Sequence, residues 1–335
     1  MRQANPELDY TTLVGHSRIQ DSLRKEGRTA PFPSLIFGGP TGIGKRLCGI
    51  WYAAYLNCYH DISSAPCGSC VSCKKVLGGL HPDIQRTVVP DKKTVIGVSE
   101  VREAIHEMHY APFEGRFRVW LIEQGERLTD EAQNALLKTL EEPPPRAIIV
   151  LVSSLVGTLI PTIASRCRLH RFQALPLDLV QESLSAQASS QDLAHKLTSL
   201  SGGALGSALT LLHDPKKLEE SSRILDLFSQ LPGRELSEAI AISQTLEKSK
   251  TGSHRETLEL GFAFFRDLLV LSAGSSELVL HKDRIRIFED LASKMPISTI
   301  QRILKEFQEA EYFLQRNVSP RLLMQRLCVK LSEAC

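Results

Sequence analysis

The sequence has no long apolar run free of charge. Its most apolar stretch, Leu258 to Ala273, contains Glu259, Arg266 and Asp267. It is too short and too charged to span a bilayer, and reads as a buried helix. Residues 1–7, Met-Arg-Gln-Ala-Asn-Pro-Glu, lack the apolar core of a signal peptide. These absences point to a cytoplasmic protein with no membrane contact, in a compartment where disulfides are rare. Charge of one sign is also missing. Forty Lys and Arg stand against 38 Asp and Glu, a net charge of +2. That excludes a strongly basic nucleic-acid coat, though not a local basic surface. There is no internal repeat and no low-complexity tract. What remains is a chain of 335 residues, 42% hydrophobic, which is globular and long enough for two or three domains.

The most informative stretch is Gly38-Gly39-Pro40-Thr41-Gly42-Ile43-Gly44-Lys45-Arg46. It matches the phosphate-loop pattern G-x-x-x-x-G-K-[ST] at Gly39, Gly44 and Lys45 and fails at the last position, where Arg46 replaces a hydroxyl residue. The glycines, Gly42 among them, let backbone N–H groups cradle phosphate oxygens at the start of a helix. Lys45 can reach the outer phosphates. A guanidinium has donors only and cannot ligate Mg²⁺. The loop is therefore built for phosphate, with ATP as the candidate ligand, and poorly built for Mg²⁺-assisted hydrolysis. A relic loop, kept for its packing at a strand–helix junction, is the alternative.

The surrounding pattern suits such a loop. Residues 12–26 read as a helix, Ser34 to Phe37 as a strand, and Leu47 to Leu56 as the helix after the loop. Further strands are expected at Gln85 to Val89, Val119 to Ile122, Ile148 to Val152 and Leu169 to Phe172. Helices are expected at Ser99 to Met108 and Thr129 to Glu142. The second has Thr129 as N-cap, Asp130 and Glu131 in its first turn, and an apolar stripe of Ala132, Leu136 and Leu140, and Pro143-Pro144-Pro145 stops it. Strands alternating with helices predict a mostly parallel sheet covered on both faces. After Phe172 the pattern is helical only, with breaks near Gly202, Pro232-Gly233, residues 250–253, Gly274, Pro296 and Ser319-Pro320.

Cys58, Cys67, Cys70 and Cys73 lie within sixteen residues, spaced C-x8-C-x2-C-x2-C. Four thiolates at this density in a chain without disulfides suit a tetrahedral structural zinc with no open position. Pro66 and Gly68 allow the turn that gathers them. Cys48, Cys167, Cys328 and Cys335 are scattered and read as packing or surface residues.

These parts occur in a specific order: the loop, the cysteine insert after its helix, the stretch Leu128 to Pro144 with Asn134-Ala135-Leu136-Leu137-Lys138-Thr139-Leu140-Glu141-Glu142-Pro143-Pro144 at its end, and then Ser165-Arg166-Cys167. In this the chain resembles bacterial clamp-loader subunits of the AAA+ class, which load the sliding clamp of DNA polymerase III. The resemblance is strongest over residues 10–172. It implies α/β plus all-α architecture: an AAA+ parallel-sheet domain with a zinc insert over 1–173, a small helical lid over 174–214, and a C-terminal helical collar domain over 215–335. It also implies a hetero-oligomeric ring with gamma or tau motor subunits and a delta subunit, acting on the sliding clamp and primed DNA.

The family contains motor subunits that hydrolyse ATP and a non-motor kind, delta prime. A working site of this family needs a metal-ligating hydroxyl, an acidic pair ending the third strand, a polar sensor on the fourth, and an arginine from the lid. Here Arg46 takes the first position and Glu123-Gln124 the second. Glu123 can still hold a metal or its water, but an amide is no general base. Ser153 or Ser154 serves as the third. Gly206 stands at the fourth. Arg166 is kept, and the resemblance gives it the role of an arginine finger reaching a neighbour's nucleotide. The expectation is a delta prime-like subunit without ATPase activity of its own, an accessory part of a DNA-directed DNA polymerase. A gamma-type ATPase is the alternative, and a tau-like form would carry a long tail beyond the collar.

Two other classes fit less. A small-molecule P-loop kinase would have no use for the Asn134–Pro144 stretch or the cysteine insert. A free-standing zinc nucleic-acid binder would need a basic aromatic stripe. In the C-terminal half, Phe262, Phe265 and Leu269, and Leu322 with Leu327, form apolar stripes that read as core. Lys282, Arg284 and Arg286 read as a solvated basic face.

Overall fold

The computed structural model describes residues 10, 13–91, 93–248, 253–314, 316 and 318–334. The sequence expectations for residues 1–7, Thr12, 250–252, Asn317 and Cys335 fall outside these. The chain divides into two compact units, Met1–Leu175 and Pro176–Cys335.

The first unit is built on five parallel strands. They are β1 (Ser34–Gly38), β2 (Ile84–Thr87), β3 (Arg118–Ile122), β4 (Ala147–Ser153) and β5 (Arg168–Arg171), in the order β2-β3-β4-β1-β5. The central strands β1 and β4 are buried at every residue, as a sheet covered on both faces requires. Alternation sorts their side chains. Ile36, Trp120, Ile122, Ile149 and Leu151 share one apolar cluster with Val101, Ala104, Met108, Leu136 and Leu140. Those last five come from α4 (Val98–Met108) and α5 (Asp130–Glu141), which follow α1 (Ser17–Glu26), α2 (Lys45–Asn57) and α3 (Val71–Leu77). Thr129 caps α5, its hydroxyl accepting from Ala132 N. Each buried leucine of that stripe contributes ~1.5–3 kcal/mol. A short helix α6 (Pro161–Ala164) precedes β5.

One element begins later than its periodicity predicts. The helix expected over 12–26 starts at Ser17, because Gly15 (φ 72°) and His16 (φ 56°) are left-handed and break the α-geometry. The apolar pattern of residues 19–23 says nothing about those two dihedrals.

A buried polar network fixes the entrance to β3. Asp83, fully buried, accepts from the backbone N–H of Phe113, Glu114 and Gly115 at 2.6, 2.9 and 2.7 Å. Asn57, at the end of α2, accepts from Arg116 and Phe117 at 2.8 and 2.9 Å and donates to Phe117 O at 3.0 Å. Its own carbonyl accepts from Ser72 Oγ at 2.8 Å, which ties α3 of the cysteine insert to the helix that follows the Gly-rich loop.

The second unit is helical throughout its described residues. It contains α7 (Leu177–Ser185), α8 (Gln191–Ser201), α9 (Leu205–His213), α10 (Pro215–Gln230), α11 (Leu236–Glu247), α12 (His254–Ser272), α13 (Ile285–Lys294), α14 (Ile297–Leu314) and α15 (Pro320–Ser332). A capping box of Ser253 and Glu256 starts α12. The helix carries Phe264, Phe265 and Leu268 into a core with Phe228, Phe288 and Phe307. Leu322 and Arg284 depart from their sequence expectations. Leu322 is 61% exposed, and its neighbours Leu323, Met324 and Leu327 are the buried ones. Arg284 is not on a solvated face. It is buried, with Nη1 on Asp226 Oδ1 at 2.5 Å and Nη2 on the Ser222 carbonyl at 3.1 Å. No described helix is long and apolar enough to cross a membrane.

Candidate nucleotide loop, cysteine cluster and exposed arginine

The Gly-rich loop leaves β1 at the carboxyl end of the sheet, beside β4 on one flank and β5 on the other. That is where open parallel sheets of this kind place ligands. Gly39 needs its missing side chain. A Cβ there would stand 2.3 Å from the Phe172 carbonyl oxygen. Gly42 and Gly44 have φ of 75° and 94°. Lys45 opens α2 and is buried, its ammonium donating to the carbonyls of Gly39 (2.7 Å) and Pro40. His16 Nε2 donates to the Ile43 carbonyl at 2.6 Å, and its ring meets Phe172 edge-on at 4.8 Å. Burial, with the nearby Lys45 charge adding to it, holds the His16 pKa below the usual histidine value despite that bond.

Glu123 follows β3 and is buried. Arg86, on the neighbouring strand β2, puts both Nε and Nη2 at 2.6 Å from Glu123 Oε1. Arg46 Nη1 faces the other oxygen, Oε2, at 3.5 Å. A buried carboxylate without a partner is costly, and here two guanidiniums satisfy it. Mg²⁺, which the family resemblance implies for an active site, does not fit this arrangement. A divalent ion at Glu123 would meet two fixed positive charges, and Arg46 has no lone pair to offer it. Gln124 is exposed, with φ 57°. Ser153 is buried beside the loop. Its carbonyl accepts from Gly39 N at 3.2 Å and its hydroxyl from Leu155 N at 3.1 Å. Ser154 is bonded to Glu126 through both Oγ (2.5 Å) and N (3.0 Å).

Arg86 belongs to no motif in the sequence. A basic residue on the strand next to the one ending in Glu123 is the available signal. It gains meaning only once β2 and β3 are known to pair, with Arg86 opposite Leu121.

The insert after α2 gathers Cys58, Cys67, Cys70 and Cys73, whose sulfur atoms all lie within 4.8 Å of one another. This cluster can hold a metal ion. A tetrahedron with metal–sulfur bonds of about 2.3 Å has edges of about 3.8 Å, so the sulfurs need only draw slightly inward. Backbone N–H groups already point at sulfur, Cys70 N at Cys67 Sγ (3.3 Å) and Cys73 N at Cys70 Sγ (3.4 Å), as thiolates would require. The Ser69 hydroxyl, 3.5 Å from Cys67 Sγ, brings that thiol down to about 5, while burial pushes Cys73 up to about 12. Tyr10 OH donates to the Cys73 carbonyl at 3.1 Å, and Arg28 Nη1 to the carbonyls of Cys58 and His60 at 3.1 and 2.6 Å. These bonds hold the cluster against the body of the unit. Cys48, Cys167 and Cys328 are buried packing residues.

Residues 16–176 match the family model described as DNA polymerase III, delta subunit. The DNA polymerase III subunit delta′ of Bacillus subtilis (strain 168) is 26% identical over 302 residues, covering 90% of this chain and 91% of that protein. Subunit delta′ of Escherichia coli (strain K12) is 38% identical over 181 residues, 53% of this chain and 54% of the relative. The chain belongs to the clamp-loader subunit family of DNA polymerase III. Subunit tau of Bacillus subtilis is 25% identical over 353 residues, 97% of this chain but 61% of tau. So this clamp-loader subunit resembles both delta′ and tau relatives, and spans about three-fifths of the latter.

Arg166 of this clamp-loader subunit lies between α6 and β5. Its guanidinium is one-third exposed and held at three points, the weakest being Nη1 to Ser165 Oγ at 3.4 Å. Nη1 donates to the Thr162 carbonyl at 2.9 Å, and Nη2 pairs with Glu141 at the end of α5. Glu141 belongs to the same sequence stretch that carries the family resemblance, and its pairing with Arg166 is visible only in the fold. Gly206 is the second residue of α9, in the other compact unit.

Proposed function

We propose that this chain is a delta prime-type, non-motor subunit of the DNA polymerase III clamp loader. It joins gamma or tau motor subunits and a delta subunit in a cytoplasmic ring that places the sliding clamp on primed DNA. The observation that carries this reading is the capture of Glu123 by Arg46 and Arg86. With its acidic residue neutralised and Gln124 in place of a base, the loop has no means to activate water. Glycine at position 206 removes a further cation from the set an ATPase of this family uses. The cysteine cluster holds a structural zinc, and any ATP at the loop is bound without turnover.

Arg166 then acts outward. Its guanidinium stabilises charge developing on the γ-phosphate of ATP held by a neighbouring motor subunit. Such arginine fingers are worth up to ~10³–10⁵ in rate in the best-studied GTPases. The opposing reading, a gamma-type motor, is favoured by the likeness to tau over nearly the whole chain. The test is ATP turnover by a loader reconstituted from motor subunits and this chain, with clamp and primed DNA, comparing wild type with Arg166→Ala. A large fall in turnover with assembly intact supports the non-motor partner. Unchanged turnover refutes the finger, and Lys45-dependent turnover by this chain alone supports the motor reading.

A further inference from the structure

The seat of the divalent cation is filled by the protein itself. Glu123 is the acidic side chain at the end of β3, and both its oxygens are engaged: Oε1 by the Arg86 fork at 2.6 Å, Oε2 by Arg46 at 3.5 Å. Arg46 stands immediately after Lys45, where the metal-ligating hydroxyl would be. Arg86 comes from a strand that lies outside the loop motif altogether. Two independent elements therefore deliver a positive charge to the same carboxylate.

Lys45, Arg46 and Arg86 contribute three positive charges and Glu123 one negative charge, so these four side chains carry a net charge of +2 with no metal present. In a metal-dependent site the lysine is offset by acidic residues, and the divalent ion restores the attraction for phosphate. Here that ion would approach two guanidiniums and find its carboxylate taken. It would also neutralise the phosphate charge that the arginines can hold through their own N–H donors. Both guanidiniums keep solvent access, with side chains 42% and 30% exposed.

We propose that the Arg46–Glu123–Arg86 clamp replaces the metal, so that the loop takes a nucleoside polyphosphate free of divalent cation and Mg²⁺ antagonises its binding. This inverts the metal dependence of an ordinary phosphate loop. It concerns the chain alone, and so stands or falls separately from the role of Arg166 in a ring.

The experiment is calorimetric titration of the full chain with ATP, once in EDTA and once in excess Mg²⁺, at matched ionic strength. Tripolyphosphate in EDTA serves as a base-free probe. ATP is expected to bind at least about tenfold more tightly in EDTA, a difference of about 1.4 kcal/mol. In Arg46→Ser the EDTA advantage should shrink or reverse, because a hydroxyl is restored and one guanidinium leaves Glu123. That position is half-exposed, so the variant should fold, and its melting curve checks this. Equal or tighter binding with Mg²⁺ in the wild type overturns the proposal. So does the absence of binding in both conditions, and so does an Arg46→Ser variant that keeps the full EDTA advantage.

Discussion

Replacing Asp83 by alanine should destabilise the first unit by about 3–6 kcal/mol. The carboxylate is fully buried and accepts three backbone N–H groups of the turn that leads into β3. A hydrogen bond to a charged acceptor is worth ~1.5–3 kcal/mol, and a donor left dry costs a similar amount. Phe113 is 84% exposed, so water can replace the lost partner of its amide. Glu114 and Gly115 lie deeper, and their two donors set the estimate. Asn57 still grips the far end of the turn, so the strand should not detach. The chain's two tryptophans, Trp51 and Trp120, are both buried in the first unit. Their fluorescence during urea unfolding therefore reports this unit alone. At a urea dependence of ~1–3 kcal/mol per molar, the midpoint should fall by roughly 1–3 M or more. A loss below about 1 kcal/mol would show that the turn holds its shape without the carboxylate, and the network would then not be what fixes β3.

Glu141→Ala should change stability by less than about 1 kcal/mol, since the pair with Arg166 is half-exposed. Reconstituted turnover should drop, but by much less than in Arg166→Ala; a rise would mean that Glu141 restrains the arginine instead of aiming it. Native protein should carry about one zinc, and chelation should expose α3 and the 58–73 segment to protease while the sheet survives; less than about half an equivalent of metal argues against the site. Burial lowers the pKa of His16, His81 and His170, all in the first unit. Each lowered histidine gives stability that is full above the unfolded value of about 6.5 and is lost as pH falls toward the folded value. Tryptophan-monitored midpoints should therefore drop between about pH 7.5 and 5.5; a flat profile would contradict the burial of those rings.

In the second unit, burial opposes the Asp267 carboxylate, but the His281 imidazole and the His281 and Leu280 N–H groups outweigh it and hold its pKa below the usual range. Its contribution should persist down to about pH 4 and vanish below that, which separates the two units by pH.

The parts of the fold legible in the sequence are those governed by local rules. The strands at 34–38 and 147–153 show as apolar runs, and α5 shows through its cap, its stripe and its proline stop. The loop glycines are legible because only glycine tolerates their backbone. What escaped depends on dihedrals or on strand register. His16 sits in a left-handed conformation that its side chain does not announce. Arg284 looks like one of three surface cations until α10 places Asp226 beside it. Arg46 is visibly wrong for a metal site, but the completed clamp needs Arg86, forty residues away and brought near only by the pairing of β2 with β3. Glu141 and Arg166 are both conspicuous in the sequence, yet their contact is a property of the fold.

The two-arginine clamp also bears on how such a site changes over generations. Restoring a hydroxyl at position 46 would leave Glu123 held by Arg86. Removing Arg86 as well would leave a buried acid beside an amide that cannot act as a base. The first step thus leaves the acid still clamped, and only the loss of both arginines leaves a buried charge unpaired, with no new activity at either stage. The clamp therefore keeps position 123 two substitutions away from a free carboxylate, and neither substitution supplies the missing base.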